Sequence, residues 1–234
     1  MSALGDAFRY LNDPLNWTRP RGLLELFVEH LTISGVAVGA AALIALPIAI
    51  ALGHTGRGGG FTVALSNVSR AVPTLALLTV FAVTPIGFGN EATTIALTLF
   101  AIPPILTNTY VGFREVDRDI LEAAGAMGMS PLQLVFKVEL PLAVPAIMTG
   151  LRTSAVQVVA TATLAALVGG GGLGVPIALG FGQQNEGLVL AGALLVALLA
   201  LLVEGVLVLL SRLVSPSSGR VSVRRRRRVA AEPL

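Results

Sequence analysis

The sequence contains no cysteine and only one lysine, Lys137. Without cysteine there is no disulfide framework, no thiolate metal site and no cysteine nucleophile. A Walker-type phosphate loop needs a lysine directly after its last glycine, and Lys137 does not have that setting. The stretch HTGRGGG at 54–60 follows no strand pattern and lacks Gly-Lys-Ser/Thr, so it is predicted to be a polar loop rather than a nucleotide site.

Histidine is also scarce. The two histidines, His30 and His54, have no second metal-binding side chain at helical spacing, so both are expected in loop or interfacial positions. We therefore predict no metal and no cofactor. An intramembrane protease or lipid hydrolase is a disfavoured alternative, because the apolar runs contain no paired aspartates and Ser154 has no base at helical spacing. The chain is predicted not to be an enzyme.

Charged residues make up only 12% of the chain and hydrophobic residues 54%. The mean hydropathy of +0.83 excludes an ordinary soluble domain and predicts an all-α polytopic membrane protein. Five apolar runs are long enough to cross a bilayer, and we predict transmembrane helices at about 31–52, 61–85, 91–113, 142–168 and 188–214. The other predicted parts are an extracytoplasmic N-terminal arm at 1–30, a charged loop at 114–141 and a disordered basic tail at 215–234.

Helix-breaking and polar residues lie inside these runs. Pro103 and Pro104 are adjacent, so the third helix is expected to bend or unwind near the middle of the membrane. Such a discontinuity either lines a transport path or only sets helix packing. The sequence GGGGLG at 169–174 cannot form a regular helix and is predicted to be a re-entrant turn or loop. The candidates for a translocation path or gate are Pro103, Pro104, Asn108, Gln157 and Gly171.

Three charged residues within the runs have no assigned role. Arg70 either extends to the cytosolic surface or contributes to gating or a subunit contact. Glu204 is expected to have an interhelical partner, buried between helices or subunits. The role of Arg152 stays open.

The basic residues are distributed unevenly about the five runs. By the positive-inside rule, the C-terminus, the 54–60 loop and the charged loop are predicted to be cytosolic, and the N-terminus outside. The five-arginine run at 224–228 is predicted to touch anionic lipid rather than nucleic acid. The predicted cytosolic side carries Arg57, Arg114, Arg118, Lys137, Arg212, Arg220 and Arg224 to Arg228, and the outer side only Arg9, Arg19 and Arg21.

The charged loop is predicted to contain two short helices. Residues 116–127 have amphipathic helical spacing. Gly128 is expected to end this helix, and Ser130-Pro131 to cap a second one. Two short helices joined in this way would project from the membrane domain. With one apolar face and one charged face, they would fit a groove in a partner protein. The apolar face consists of Val116, Ile120, Ala123 and Met127.

The same loop carries a longer motif of Glu-Ala-Ala, three residues, Gly, nine residues, Val, one residue and Leu-Pro. This spacing resembles the EAA signature of ATP-binding-cassette (ABC) importer permeases, in which isoleucine usually stands in place of Val138. The resemblance covers roughly residues 30–214, and five spans with this loop between the third and fourth look like the methionine-importer type of permease core. The motif residues are Glu122, Ala123, Ala124, Gly128, Val138, Leu140 and Pro141.

The resemblance implies a division of labour among several chains. Glu122 to Gly128 would form the coupling helix, seated in a cleft of a separate ATPase subunit that hydrolyses ATP. The other implied partners are an extracytoplasmic substrate-binding protein, a second permease chain as a homodimer or heterodimer, and membrane lipid, with no nucleic acid. The implied location is the bacterial plasma membrane.

Four further stretches resemble permeases for osmoprotectants such as glycine betaine, carnitine or choline: SRAVPTLALL, IPPILTNTYVGFREVD, GMSPLQLVFKVELPLAVPAIMTGLR and TATLAALVGGGGLG. A quaternary ammonium group is normally held by an aromatic cage, but the chain has one tryptophan and two tyrosines, so selectivity is expected mainly in the binding protein. Methionine or another amino acid is the alternative substrate. A stand-alone ion-coupled transporter or channel is the alternative mechanism.

Overall fold

The computed structural model describes residues 2–214, except for the side chains of Ser69 and Arg70. The predictions for the Arg70 side chain and the basic tail at 215–234 therefore lie outside the described residues. Every regular element in the described part of the chain is helical. In chain order these are α1 Ala3–Asn12, α2 Pro14–Thr18, α3 Leu23–Thr55, α4 Gly59–Ala71, α5 Thr74–Ala82, α6 Asn90–Arg114, α7 Arg118–Ala126, α8 Pro131–Leu134, a π-helical turn Val135–Glu139, α9 Leu140–Thr161, a 3₁₀ helix Ala162–Val168, α10 Gly174–Gly182 and α11 Glu186–Val214.

Between residues 2 and 214, four helical segments are long and apolar enough to cross a membrane: Leu23–Thr55, Asn90–Arg114, Pro131–Val168 and Glu186–Val214. The prediction of an all-helical membrane protein is therefore confirmed, but the predicted second span at 61–85 is not one helix. It divides into α4 and α5 at Val72 and Pro73, whose backbones are both extended. Proline lacks the N–H that would continue the helix and disfavours helical backbone at the residue before it.

The third span does not unwind at its proline pair, so this part of the prediction is wrong. Helix α6 is α-helical from Asn90 to Arg114, with Pro103 and Pro104 inside it. The fixed φ of proline is itself helical, so the pair can remain in the helix, at the cost of two hydrogen-bond donors and of crowding between each ring and the preceding turn. Tight packing of α6 between α3 and α9 compensates, and Pro103 is buried.

The second short helix of the charged loop is not a separate element. Ser130 and Pro131 begin a helix that runs through α8 and the π-helical turn into α9, so the fourth span starts at Pro131 rather than near 142. In the widened turn the Leu140 N–H donates to the Val135 carbonyl, five residues earlier. Pro141 follows at once, and a π turn relieves the clash between its ring and the preceding turn.

The N-terminal arm is shorter than predicted, because α3 begins at Leu23 instead of 31. The arm itself is helical. Ala7 on α1 is fully buried, and the α1 backbone at Asp6 and Ala7 lies directly against Gly187 at the start of α11. The arm is therefore packed on the bundle. The short helix α10, which lies between the glycine-rich stretch and α11, was not predicted.

The core of the bundle is formed by α3, α6 and α9. Helix α3 presents Ala37, Ala41, Ala45 and Ala49 at every fourth position, and all four are fully buried. Such small residues on one stripe let neighbouring helices approach closely. Helices α9 and α6 approach closely at Gly150 of α9, where an added Cβ would lie 2.9 Å from the Asn108 Cβ and 3.0 Å from the Pro104 carbonyl oxygen.

Candidate functional site

The elbow segment, residues 117–134, contains the first half of the predicted coupling motif. Asp117 caps α7 by accepting from the Asp119 N–H at 2.9 Å. Gly128 ends the helix with φ of +85°. The Met129 N–H donates to the Ala124 carbonyl and the Gly128 N–H to the Gly125 carbonyl, which is the Schellman pattern. The predicted end of the first helix at Gly128 is confirmed.

Ser130 caps the next helix as predicted. The Gln133 N–H donates to Ser130 Oγ, and the Ser130 N–H donates to the Gln133 side-chain oxygen at 2.9 Å. These reciprocal bonds form a capping box. Together, the Schellman turn and the capping box stabilise the angle between α7 and α8 through hydrogen bonds between residues close in sequence.

The motif residues divide into an exposed and an anchored half. Glu122, Ala123 and Gly128 are exposed, Ala124 is buried, and Val138, Leu140 and Pro141 are half-buried. Leu140 packs against a buried cluster at the end of α6 and the start of α9. A line of large apolar side chains beside the exposed half faces outward: Ile120, Met127, Leu132 and Phe136, with exposed fractions of 46%, 73%, 71% and 62%. The segment is thus fastened at its base and offers an apolar surface.

The central cavity lies about halfway along α6 and has a volume of about 390 Å³. It contains four of the five predicted path residues, Pro103, Pro104, Asn108 and Gln157. They meet there because the break between α4 and α5 opens beside the proline pair of α6 and the Thr153–Gln157 face of α9. The full lining is Ser66, Val72, Pro73, Thr74, Phe100, Pro103, Pro104, Thr107, Asn108, Thr153 and Gln157.

Among the described side chains, those that line the central cavity are uncharged, and six of the eleven are polar. Asn108 Nδ2 donates to the Pro104 carbonyl at 2.8 Å, which leaves its side-chain oxygen available. Thr107 Oγ1 is buried and has no hydrogen-bond partner among the described residues. Thr153 and Gln157 are exposed, one turn apart on α9. The arrangement offers hydroxyl and amide groups to a small polar solute without a fixed charge to trap it.

Gly171, the fifth predicted path residue, lies elsewhere. It belongs to the glycine loop, residues 169–173, which is non-helical as predicted. The Gly171 N–H donates to Asn90 Oδ1 at 2.8 Å, and the Gly172 N–H donates to Glu29 Oε2 at 2.9 Å. Asn90 Nδ2 in turn donates to Glu29 Oε1. A second cavity of about 460 Å³ borders this loop, together with Arg21 and Glu25.

His30 completes the support of the glycine loop. It lies in a helix, so the expectation of a loop position is wrong. It is buried within α3, with 1% of the residue exposed. The Leu173 N–H donates to His30 Nδ1 at 3.2 Å, so the proton of the neutral ring is on Nε2, which donates to the Val159 carbonyl at 2.9 Å. We call Glu29, His30 and Asn90 the cradle, since they hold the loop backbone.

Two further polar pairs cross between helices. Arg152 Nε lies 3.2 Å from Glu204 Oε1, joining α9 to α11, which confirms that Glu204 has an interhelical partner. The two side chains are 39% and 37% exposed, so within this chain the pair is not buried as expected. His54 Nδ1 donates to Glu139 Oε2 at 2.6 Å, joining the end of α3 to the π-helical turn. Neither the cradle nor the His54–Glu139 pair was predicted, because the partners are 85 to 143 residues apart in sequence for most of these bonds.

Comparison with known proteins gives a family for this arrangement. Residues 41–216 match the family described as binding-protein-dependent transport system inner membrane component. The chain is 38% identical over 195 residues to the choline transport system permease protein OpuBB of Bacillus subtilis (strain 168), covering 83% of this chain and 89% of that protein. It is 37% identical over 188 residues to the glycine betaine/carnitine/choline transport system permease protein OpuCB of the same organism, covering 80% and 86%.

The fold has a solved counterpart. The structure of the MetNI methionine ABC transporter in inward-facing conformations superposes with a TM-score of 0.71 at 26% identity, covering 88% of this chain and all of that one. The all-helical membrane bundle, the elbow segment with its motif residues and the sequence relatives all point to the same family. The chain therefore belongs to the family of binding-protein-dependent transport system inner membrane components, the multi-pass permease subunits of ABC importers.

Proposed function

We propose that this chain forms half of the translocation path of an importer for small quaternary ammonium osmoprotectants such as choline, glycine betaine or carnitine. The sequence relatives, at 37–38% identity over most of the chain, are the main support for the substrate class. The fold likeness to a methionine transporter, at 26% identity, supports methionine less, because this fold carries different substrates in different members.

The central cavity is the main structural support for the proposed translocation path. It combines the α4–α5 break, the proline pair of α6 and the polar face of α9 at mid-helix depth. Discontinuous helices at the membrane midplane are where transporters commonly bind their cargo. A neutral lining of hydroxyl and amide groups suits a zwitterion or a cation that must pass through rather than stay bound. Gly171 is assigned to a gate beside the path, since it lies outside the central cavity.

The elbow segment is the proposed contact with a separate ATPase subunit. Its exposed apolar residues, above all Met127 and Leu132, would be unfavourable in water and fit a groove on a partner. Glu122, Ala123 and Gly128 would lie in this contact, Ala124 would brace it from behind, and Val138, Leu140 and Pro141 would transmit its movement. A contact of this kind drives transport only if it differs between two states of the ATPase.

The remaining assignments follow from charge and from the need to close the path. The basic residues beside the elbow segment support a cytosolic location for it and an outer location for α1 and the glycine loop. One chain encloses the central cavity on one side only, since Thr153 and Gln157 are exposed. A second permease chain would supply the other side, an extracytoplasmic binding protein would deliver substrate, and the tail at 215–234 would remain cytosolic.

Reconstitution of the complex tests this function. The chain would be placed in liposomes with its ATPase and binding protein, and uptake of radiolabelled choline, glycine betaine, carnitine and methionine compared at equal concentration. We expect ATP-dependent uptake of at least one quaternary ammonium compound and none of methionine. Exclusive uptake of methionine would refute the substrate class, and uptake that continues without the ATPase would refute the ABC mechanism.

A further inference from the structure

The His54–Glu139 pair joins a buried carboxylate to a histidine on a distant part of the chain. The Glu139 side chain is only 5% exposed, and its hydrogen bond to His54 Nδ1 measures 2.6 Å. A carboxylate buried to this degree is costly unless donors satisfy it. Glu139 belongs to the turn that leads out of the elbow segment, whereas His54 is in the last turn of α3. The bond thus ties two elements that sequence separates by 85 residues.

The rest of the contact between these elements is apolar. Val135, four residues before Glu139, lies in a buried cluster with Phe113 and Ile147, and Leu46 and Ile50 of α3 pack against that cluster. Apolar contacts are non-directional, so they hold α3 and the turn together without fixing how far one can slide along the other. The directional hydrogen bond of His54 supplies that constraint.

The π-helical turn places the His54–Glu139 hydrogen bond directly after the elbow segment. It presents Val135 and Glu139 to the interior while Phe136, the next residue after Val135, stays 62% exposed on the apolar surface. Single π-helical turns inside α-helices are uncommon and frequently lie at functional sites. Any force on Phe136 is therefore applied within one turn of the carboxylate that His54 holds.

We propose that His54 and Glu139 form a positioning contact that makes α3 follow the movement of the elbow segment. This inference rests on the proposed function, in which that segment docks on an ATPase. A pair that serves only the fold would be needed for stability alone. A positioning contact is needed for the conversion of ATP hydrolysis into transport, and a covalent link of similar length should replace it.

The absence of native cysteine makes this replacement testable. In the double variant His54→Cys/Glu139→Cys, the two thiols are the only ones in this chain and can be bridged, before the complex is assembled, by a short methanethiosulfonate cross-linker that reductant cleaves. The readout is choline taken up per ATP hydrolysed by the complete complex in liposomes. With the thiols open, we expect this ratio to fall roughly tenfold, as the loss of a hydrogen bond to a charged group implies. Bridging should restore the ratio, and reductant should lower it again.

Controls separate a positioning role from a structural one. The single variants His54→Cys and Glu139→Cys cannot form the bridge, so the reagent should not restore their ratio. Amide exchange over residues 131–140, measured on the permease alone, should be faster in the open double variant and slow again after bridging. Faster exchange with an unchanged uptake ratio would overturn the proposal, and so would a bridged variant that stays uncoupled. ATPase-independent uptake by the wild-type complex would instead refute the proposed function, while the exchange data would still report on the contact.

Discussion

At the scale of single residues, the glycines show how one atom decides a local structure. Gly128 adopts φ of +85°, and a Cβ at that position would meet no atom within 4 Å. The requirement for glycine there is therefore conformational and not steric. Gly171 is the opposite case, because a Cβ there would overlap the Glu29 carboxylate. Each glycine can be tested against another glycine that has no positive φ and whose added Cβ would meet no atom within 4 Å.

We predict that Gly128→Asp uncouples the transporter. The left-handed backbone costs most residues with a Cβ about 1–2 kcal/mol, and Asp less than most. We expect this strain to change the angle of the elbow while leaving the membrane bundle intact. We expect ATP hydrolysis without substrate uptake, at a normal amount of protein in the membrane. The matched control is Gly125→Asp, which adds the same charge to an exposed helical glycine with no atom within 4 Å of its Cβ. Equal loss of uptake in both variants would point to charge rather than to the elbow angle.

We predict that Gly171→Ala destabilises the packing of the glycine loop. The added methyl group forces the Glu29 carboxylate away from the Gly172 N–H and Asn90, and overpacking of this kind costs about 1–3 kcal/mol. The measurement is thermal unfolding of the purified chain in detergent. Gly182→Ala, where a Cβ would meet no atom within 4 Å, should unfold at nearly the wild-type temperature. A wild-type melting temperature for Gly171→Ala would show that the cradle yields without cost.

At the scale of helices, prolines mark where sequence reasoning succeeds and fails. The long apolar runs of α3 and α11 predict their helices well, because hydropathy alone requires a spanning helix there. Helix α4 ends before Pro73, where one continuous span was predicted, whereas α6 runs through its proline pair, where a bend or unwinding was predicted. The difference is tertiary: much of α4 and α5 is exposed, whereas α6 packs against α3 and α9 along its length. Local sequence does not carry that information.

The elbow segment and the cradle differ in how far apart their bonded residues lie in sequence. The elbow segment could be predicted because its caps and turns are formed by residues a few positions apart, such as Ser130 with Gln133. The cradle could not, since Glu29 and His30 bind backbone N–H groups 143 residues away. Polar residues near the start of a spanning helix were the available signal, and they were assigned instead to the N-terminal arm.

We predict that Pro73→Ala closes the break between α4 and α5. Alanine restores a backbone donor and removes the restraint on Val72, so the two helices can extend toward each other, and residues 72–75 should gain protection from amide exchange. Because Val72, Pro73 and Thr74 line the central cavity, uptake should fall while the amount of protein in the membrane stays normal. Pro85→Ala, in the turn after α5, is the control and should change neither. Unchanged exchange at 72–75 would mean that packing, and not proline, maintains the break.

At the scale of the whole molecule, one exposed surface is expected to face lipid and another to face water. Helix α11 exposes a band of aliphatic side chains that includes Leu198, Leu201 and Leu202, as expected of a face toward lipid. The α9 face at Thr153 and Gln157 is also exposed but polar, and it opens on the central cavity. In a membrane, water should reach only the second surface.

We predict that a cysteine at Gln157 is reached from water and protected by substrate. In this cysteine-free chain, Gln157→Cys should react with a charged, membrane-impermeant thiol reagent, and transported substrate should slow the reaction. Leu202→Cys, which is 52% exposed in the isolated chain, should stay unreactive because lipid covers it. Reaction at both positions, or at neither, would contradict the assignment of the central cavity to the path.

Helix α3 gives these separate contacts a mechanical connection. It spans 33 residues, or about 50 Å, and so extends well beyond a hydrocarbon core of roughly 30 Å. His30 near one end holds the glycine loop, and His54 near the other holds the π-helical turn, about 36 Å away along the axis. If α3 tilted as one body about His30, His54 would move about 3 Å for every 5° of tilt. In the proposed mechanism, α3 is therefore the element that connects the elbow segment to the glycine loop on the other side of the membrane.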